Sequence, residues 1–240
     1  GGLFFPVPYP GADLKRENAY LIAQLKNETS SQGLILAFPD DDPEELAEML
    51  EQPGIKGIKP YHFYSKEYPS LESSVKGFFP EWLAKLADSK GSVVMLHLVK
   101  KKAIADPDNI DDIIHICTRY PNIKLILAHA ARSFHAPHAR EGIKKLRGIE
   151  NIWFDTSGIC ENEAILEILR EFGPRKLLWG SDFPISQLRG RCVTIGDGFV
   201  WFDESYCDWS KATHANPVLV GIESLRALKN AVEEFGLNKE

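Results

Sequence analysis

The chain lacks several features, and each absence removes a class of protein. It holds only four cysteines in 240 residues. Cys117, Cys160, Cys192 and Cys207 form no CxxC pair and no zinc-finger spacing, so they read as reduced thiols of a cytoplasmic protein. No apolar run approaches the roughly 20 residues of a membrane span, and no signal-peptide pattern stands at the start. An excess of positive charge is also missing. The net charge is -6 with a pI near 5.7, which excludes the basic footprint of a nucleic-acid binder. No strand-like run leads into the glycine-rich turn of nucleotide-binding folds. Long linkers and low-complexity segments are absent. The first residue is Gly1 rather than Met and an apolar run follows at once, so the chain is expected to begin inside a longer protein or after a removed segment.

What is present is ordinary globular material: 44% hydrophobic, 26% charged and 10% aromatic residues, enough for one large core. Seven short apolar runs read as strands: 3–7, 34–38, 55–59, 93–98, 124–129, 152–156 and 177–179. Each is followed by a stretch with helical spacing. Asp42-Pro43 and Asp106-Pro107 are helix starts, with a cap and then proline at the first helical position. The closing helix over 217–235 is expected to turn Leu225, Leu228, Val232 and Phe235 inward. Residues 185–216 show no period and read as a lid-like irregular segment. The strands are continuously apolar rather than alternating, which points to a parallel sheet covered by helices. The expected fold is therefore α/β, a (β/α)8 TIM barrel in a single domain over 1–240, with its first βα unit lying upstream. An open doubly wound sheet is the alternative, and it lacks the phosphate-binding turn.

In a barrel, every strand delivers its C-terminal residues to one mouth. The strand ends here carry Lys59 and Tyr61, then His97, His129, Asp155 with Ser157, and Asp182. Taken singly, His97 and His129 read as hydrogen-bonded barrel histidines, Asp155 as a turn former and Lys59 as a solvated or ion-paired strand end. Taken together, imidazoles and a carboxylate from separate strands are ligands for a divalent transition metal such as zinc or manganese. His62, His135 and His138 lie in loops and are expected to be solvent-exposed. His115 and His214 read as structural or surface groups. Arg132, in the loop after His129, suits a substrate carboxylate. The lysine run 100–102 reads as a solvated run, with attraction of an anionic small-molecule substrate the alternative that its place just after His97 offers.

The segments GIKGIKPY (54–61), VVMLHL (93–98), NIKLILAHA (122–130), NIWFDTSG (151–158) and KLLWGSDFP (176–184) resemble, in order and spacing, the amidohydrolase superfamily. The likeness is to its amidohydrolase-2 branch of metal-dependent TIM-barrel enzymes. That resemblance implies His97 as a metal ligand, His129 as a catalytic or second metal-site group, and Asp182 as a metal-bound proton carrier. It places Lys59 with Tyr61 facing the substrate and implies a divalent metal, zinc or manganese. It also implies an HxH pair on the family's first strand and a segment after the last helix. HxH occurs nowhere in this chain, so metal binding by the chain alone is expected to be weak or nil.

Three functions follow as expectations. The first is hydrolysis of an amide, lactone or related carbonyl compound by a metal-activated water. The second is non-oxidative decarboxylation of a carboxylated aromatic or similar acid. The third is a metal-free barrel serving a larger protein. The expected partner is a small, anionic molecule, with no nucleic acid and no membrane; a homo-oligomer is compatible with the sequence.

Overall fold

The computed structural model describes residues 1–212 and 214–237. Its strands in chain order are β1 (Leu3–Phe4), β2 (Gln32–Leu36), β3 (Ile55–Lys59), β4 (Val93–Leu96), β5 (Lys124–Leu127), β6 (Ile152–Asp155) and β7 (Leu177–Leu178). They form one sheet whose order is the order of the sequence. The pairs β1–β2, β2–β3, β3–β4 and β6–β7 are parallel. Sequence order with parallel neighbours requires a crossover after each strand, and the helices supply it.

The chain divides into two compact units. Residues 1–100, 111–126 and 149–152 make the first, and residues 101–110, 127–148 and 153–240 make the second.

In the first unit, α1 (Leu14–Leu25) starts at the Asp13 cap and α2 (Pro43–Leu50) at Asp42, whose carboxylate accepts from the amides of Glu44 and Glu45. Proline follows Asp42 where its missing N–H costs nothing. Asn18 of α1 is buried because it serves the sheet. Its side chain donates to the Leu36 carbonyl at 2.9 Å and accepts from the Leu36 amide at 2.8 Å. After the short α3 (Val75–Phe78), helix α4 (Glu81–Ser89) buries Leu83, Ala84 and Ala87, and α5 (Pro107–Arg119) follows β4. Leu34, Ile35, Leu36, Ile58 and Leu96 are fully buried, as continuous apolar strands require.

In the second unit, α6 (Ala128–Arg132) and α7 (Ala136–Gly142) follow β5, and α8 (Asn162–Phe172) follows β6. Helix α8 buries Ala164, Ile165, Leu166, Ile168 and Leu169. It packs on α9 (Val220–Phe235). The stripe of α9 expected to face inward does so only in part: Leu228 and Val232 are half-buried. Leu225 and Phe235 are exposed, whereas Val220, Ser224, Ala227 and Ala231 are buried. Small residues on that face let two helices approach closely, and a count of large apolar residues misses them.

Residues 185–216 are more regular than expected. Arg191–Ile195 (β8) and Gly198–Phe202 (β9) form an antiparallel hairpin closed by Gly196 and Asp197. Gly196 has φ 59°, the positive value that the first position of a tight hairpin turn favours. Residue 213 of this segment lies outside the described residues.

Candidate active site

Each predicted site residue lies at or just beyond the C-terminal end of a strand. In the first unit, β3 ends in Lys59, and Tyr61 and His62 follow. The Lys59 ammonium lies 5.5 Å from the centre of the Tyr61 ring and 5.2 Å from that of Phe5. Lys59 is only 3% exposed, so two ring faces take part of the place of its lost hydration. His97, one residue past β4, is half-buried. Its ring lies 5.3 Å from Tyr61 and 5.6 Å from His62. His62 corrects its expected exposure: it is 2% exposed, because a 3-10 turn over His62–Tyr64 folds the strand end back into the unit. A sequence reading sees only a loop there.

In the second unit, β5 delivers His129, which is 7% exposed. Its Nδ1 lies 3.0 Å from the Ser157 carbonyl oxygen and 2.9 Å from Ser157 Oγ. A carbonyl oxygen only accepts, so Nδ1 is the donor, and in the neutral imidazole Nε2 then keeps the lone pair. The Ser157 hydroxyl donates in turn to Asp155 Oδ1. That carboxylate oxygen also accepts from the amides of Ser157 at 2.8 Å and His129 at 3.2 Å. Asp155, 5% exposed, thus fixes both the backbone of His129 and, through Ser157, its ring. The FDTSG segment is an organising element, a role its turn-like composition concealed.

The backbone at this point is unusual. His129, Ala130, Ala131 and Arg132 all have φ between 50° and 59°. Four non-glycine residues in the left-handed region form a single left-handed turn, at a cost of roughly 1–2 kcal/mol each. Such strain clusters where a site is held in a required geometry. Neither glycine nor asparagine marks the stretch, so the sequence gives no warning of it. Arg132 lies with its guanidinium carbon 5.4 Å from the centre of the Phe199 ring.

Asp182 also adopts a positive φ of 52° and is half-buried. Two residues earlier, Gly180 runs against the Asp155 group. A Cβ there would meet Ser157 Cβ at 3.1 Å and Asp155 Oδ1 at 3.3 Å. This glycine therefore lets the end of β7 approach the end of β6.

His135 and His138 are 4% and 8% exposed, against expectation. Their rings meet edge to face at 4.4 Å, because α7 begins at Ala136 and turns them into the unit. Among the described residues, no group of three or more His, Cys, Asp or Glu side chains gathers as metal ligands. His129 is oriented as a ligand would be, but a complete donor set is not assembled. A cavity of about 520 Å³ lies elsewhere in the second unit, lined by Arg140, Glu161, Arg191, Glu223 and Arg226 among others. It includes none of the strand-end residues.

The strand ends of the first unit thus carry Lys59, Tyr61 and His97, and those of the second carry His129, Asp155 and Asp182. The chain belongs to the amidohydrolase family, in its amidohydrolase-2 branch, whose sequence model matches residues 13–204. Among known proteins it is 22% identical over 213 residues to an L-fucono-1,5-lactonase of Burkholderia ambifaria, covering 80% of this chain and 69% of the relative. In structure it is similar to a 5-carboxyvanillate decarboxylase of Sphingomonas paucimobilis, with TM-score 0.51, 16% identity, and 94% and 72% of the two chains covered. It is also similar to a dihydroxybenzoic acid decarboxylase of Polaromonas sp. holding manganese and 2-nitroresorcinol. There the TM-score is 0.50 and the identity 16%, with 95% and 76% covered. The fold is thus the α/β, (β/α)8 TIM-barrel type. Among the described residues, no helix is long and apolar enough to cross a membrane.

Proposed function

We propose that the chain is the barrel of an amidohydrolase-2-type hydrolase that opens a lactone, amide or related carbonyl compound. The observation that carries this reading is the chain from Asp155 through Ser157 to His129. It fixes the imidazole with Nδ1 protonated and Nε2 basic. The family membership and the lactonase relative support the same chemistry.

We assign Asp182 as the group that takes a proton from the attacking water and returns it to the leaving oxygen or nitrogen. The water oxygen bonds to the carbonyl carbon as the bond to the leaving group breaks. His129 Nε2 is the second base. Lys59, Tyr61 and Arg132 hold the anionic part of the substrate. A divalent cofactor, zinc with manganese as the alternative, is proposed on family grounds, with His97, His129 and Asp182 as the donors this chain offers. Such an ion lowers the pKa of a bound water to about 7. Among the described residues, those three do not assemble a complete donor set. We take the 185–216 segment as a lid and the protein as cytoplasmic. A homo-oligomer remains compatible.

Arg132 on the strained turn beside His129 favours one alternative, decarboxylation of a carboxylated aromatic. There the guanidinium binds the departing carboxylate, the electron pair of the breaking C–C bond passes to the ring, and a proton from Asp182 takes the place of carbon dioxide.

The test uses the intact protein purified without chelator, with elemental analysis for zinc and manganese. Proton release from sugar lactones is compared with carbon dioxide release from hydroxybenzoates. Hydrolysis is expected, with Asp182→Asn and His129→Gln each abolishing it. An Asp182→Asn protein that hydrolyses lactones at the parent rate sinks the assignment.

A further inference from the structure

The β8–β9 hairpin brings aromatic residues to the strand-end group of the second unit. Phe134 stacks at 5.3 Å on the His129 ring. Phe134 is held in turn by Phe199 at 5.0 Å and, edge to face, by Trp201 at 5.2 Å, both on β9. The tip of Trp201 reaches further. A Cβ placed on Gly158 would lie 3.5 Å from Trp201 Cη2, 3.4 Å from Phe134 Cε1 and 3.8 Å from His129 Nδ1, so all three converge on one point at the end of β6. Gly158 has φ 68° and no side chain, which keeps that point open to the indole. Phe199 also carries the Arg132 guanidinium on its face.

We propose that Trp201 and Phe199 are positioning residues for the reaction. Trp201 acts through Phe134 to fix the plane of the His129 imidazole, and Phe199 fixes the guanidinium of Arg132. The hairpin is then a second support for the left-handed turn, independent of Asp155 and Ser157. The Ser157 carbonyl sets the tautomer and Asp155, through the Ser157 hydroxyl, holds the hydrogen-bonded edge of the ring, while the aromatic stack sets its tilt. The part concerning ligand binding rests on the proposed role of Arg132; the part concerning geometry does not.

The experiment has two arms on the full chain. In the first, the chain is labelled on histidine and arginine and the His129 Cε1–H and Arg132 Nε–H resonances are followed by NMR, each assigned by its own Gln variant. Trp201→Ala is expected to shift the His129 resonance and Trp201→Phe to restore most of it. Phe199→Leu is expected to shift the Arg132 resonance. If both resonances stay in place in Trp201→Ala and Phe199→Leu, the proposal is wrong. Should Trp201→Ala fail to fold, Trp201→Leu decides the point by the same readout. In the second arm, benzoate and its neutral isostere benzamide are titrated by calorimetry. Phe199→Leu should weaken benzoate about three- to tenfold, the scale of a partly desolvated cation–π contact, and leave benzamide unchanged. Equal weakening of both probes reduces Phe199 to a packing residue and overturns its part. If the parent chain binds neither probe, the substrate assignment of Arg132 fails, and the NMR arm still decides the positioning.

Discussion

Ser157 links the carboxylate of Asp155 to the ring of His129 through a hydroxyl that donates to one and accepts from the other. Ser157→Ala removes that bridge and keeps the backbone carbonyl contact, so the tautomer is retained while the ring gains freedom. Turnover is expected to fall by about 10- to 100-fold, the usual effect of losing a group that orients a functional imidazole. Circular dichroism should remain that of the parent. Ala130 lies in the left-handed turn with φ 50° and is fully buried. Ala130→Gly relieves about 1–2 kcal/mol of backbone strain. It gives up a methyl worth about 0.8 kcal/mol of burial. The greater freedom of glycine in the unfolded chain costs about 0.5–1 kcal/mol more, so the terms nearly cancel and thermal unfolding should show a Tm close to that of the parent. The looser turn should also lower activity. A fall in Tm would mean that the methyl packs better than its area suggests.

Among the elements, α2 shows how local chemistry fixes a boundary. Asp42 accepts from the amides of Glu44 and Glu45 at 2.9 and 3.0 Å. Asp42→Ala should cost about 1 kcal/mol, read from urea unfolding. That boundary was legible in the sequence because cap and proline are local signals. So were the seven strands, since a strand buried on both faces leaves a continuous apolar run. The hairpin was legible but unread: Gly196-Asp197 between Arg191–Ile195 and Gly198–Phe202 is a tight-turn signal between two strand-forming runs. The left-handed turn was not legible. Nothing in Ala-His-Ala-Ala-Arg asks for positive φ; the surrounding packing imposes it. The candidate site was legible in part for the same reason, as the polar ends of apolar strands. His129 and Asp182 announced themselves as polar residues ending apolar strands. The role of Asp155 depends on hydrogen bonds to residues 26 positions away, which periodicity does not see.

At the scale of the whole molecule, pH acts through buried histidine. Burial, with His135 beside it, holds the His138 imidazole below its ordinary value of 6.5. Lys102 pushes the same way, and Glu141 and Asp197 oppose it. The unfolded chain therefore binds a proton in a window where the folded chain does not. Stability rises with pH through that window and is lost as pH falls below about 6.5. Calorimetry should give a lower Tm at pH 5.5 than at pH 7.5, and His138→Gln should flatten the difference. An unchanged slope in that variant would assign the pH response to other groups.

The path of the chain through its two compact units has a practical meaning for anyone who wishes to dissect the protein. Each unit is assembled from three separate stretches, and the stretches alternate along the gene. No single cut of the gene yields either unit whole. A fragment ending at residue 100 lacks residues 111–126 and 149–152, which complete its unit. Among the lost groups is Asn151, whose amide faces the carbonyls of Cys117, Tyr120, Pro121 and Ile123. Such a fragment should be insoluble when expressed by itself. It should be recovered in soluble form when the remainder of the chain is made in the same cell, so the two pieces would serve as a split reporter that reads out its own reassembly.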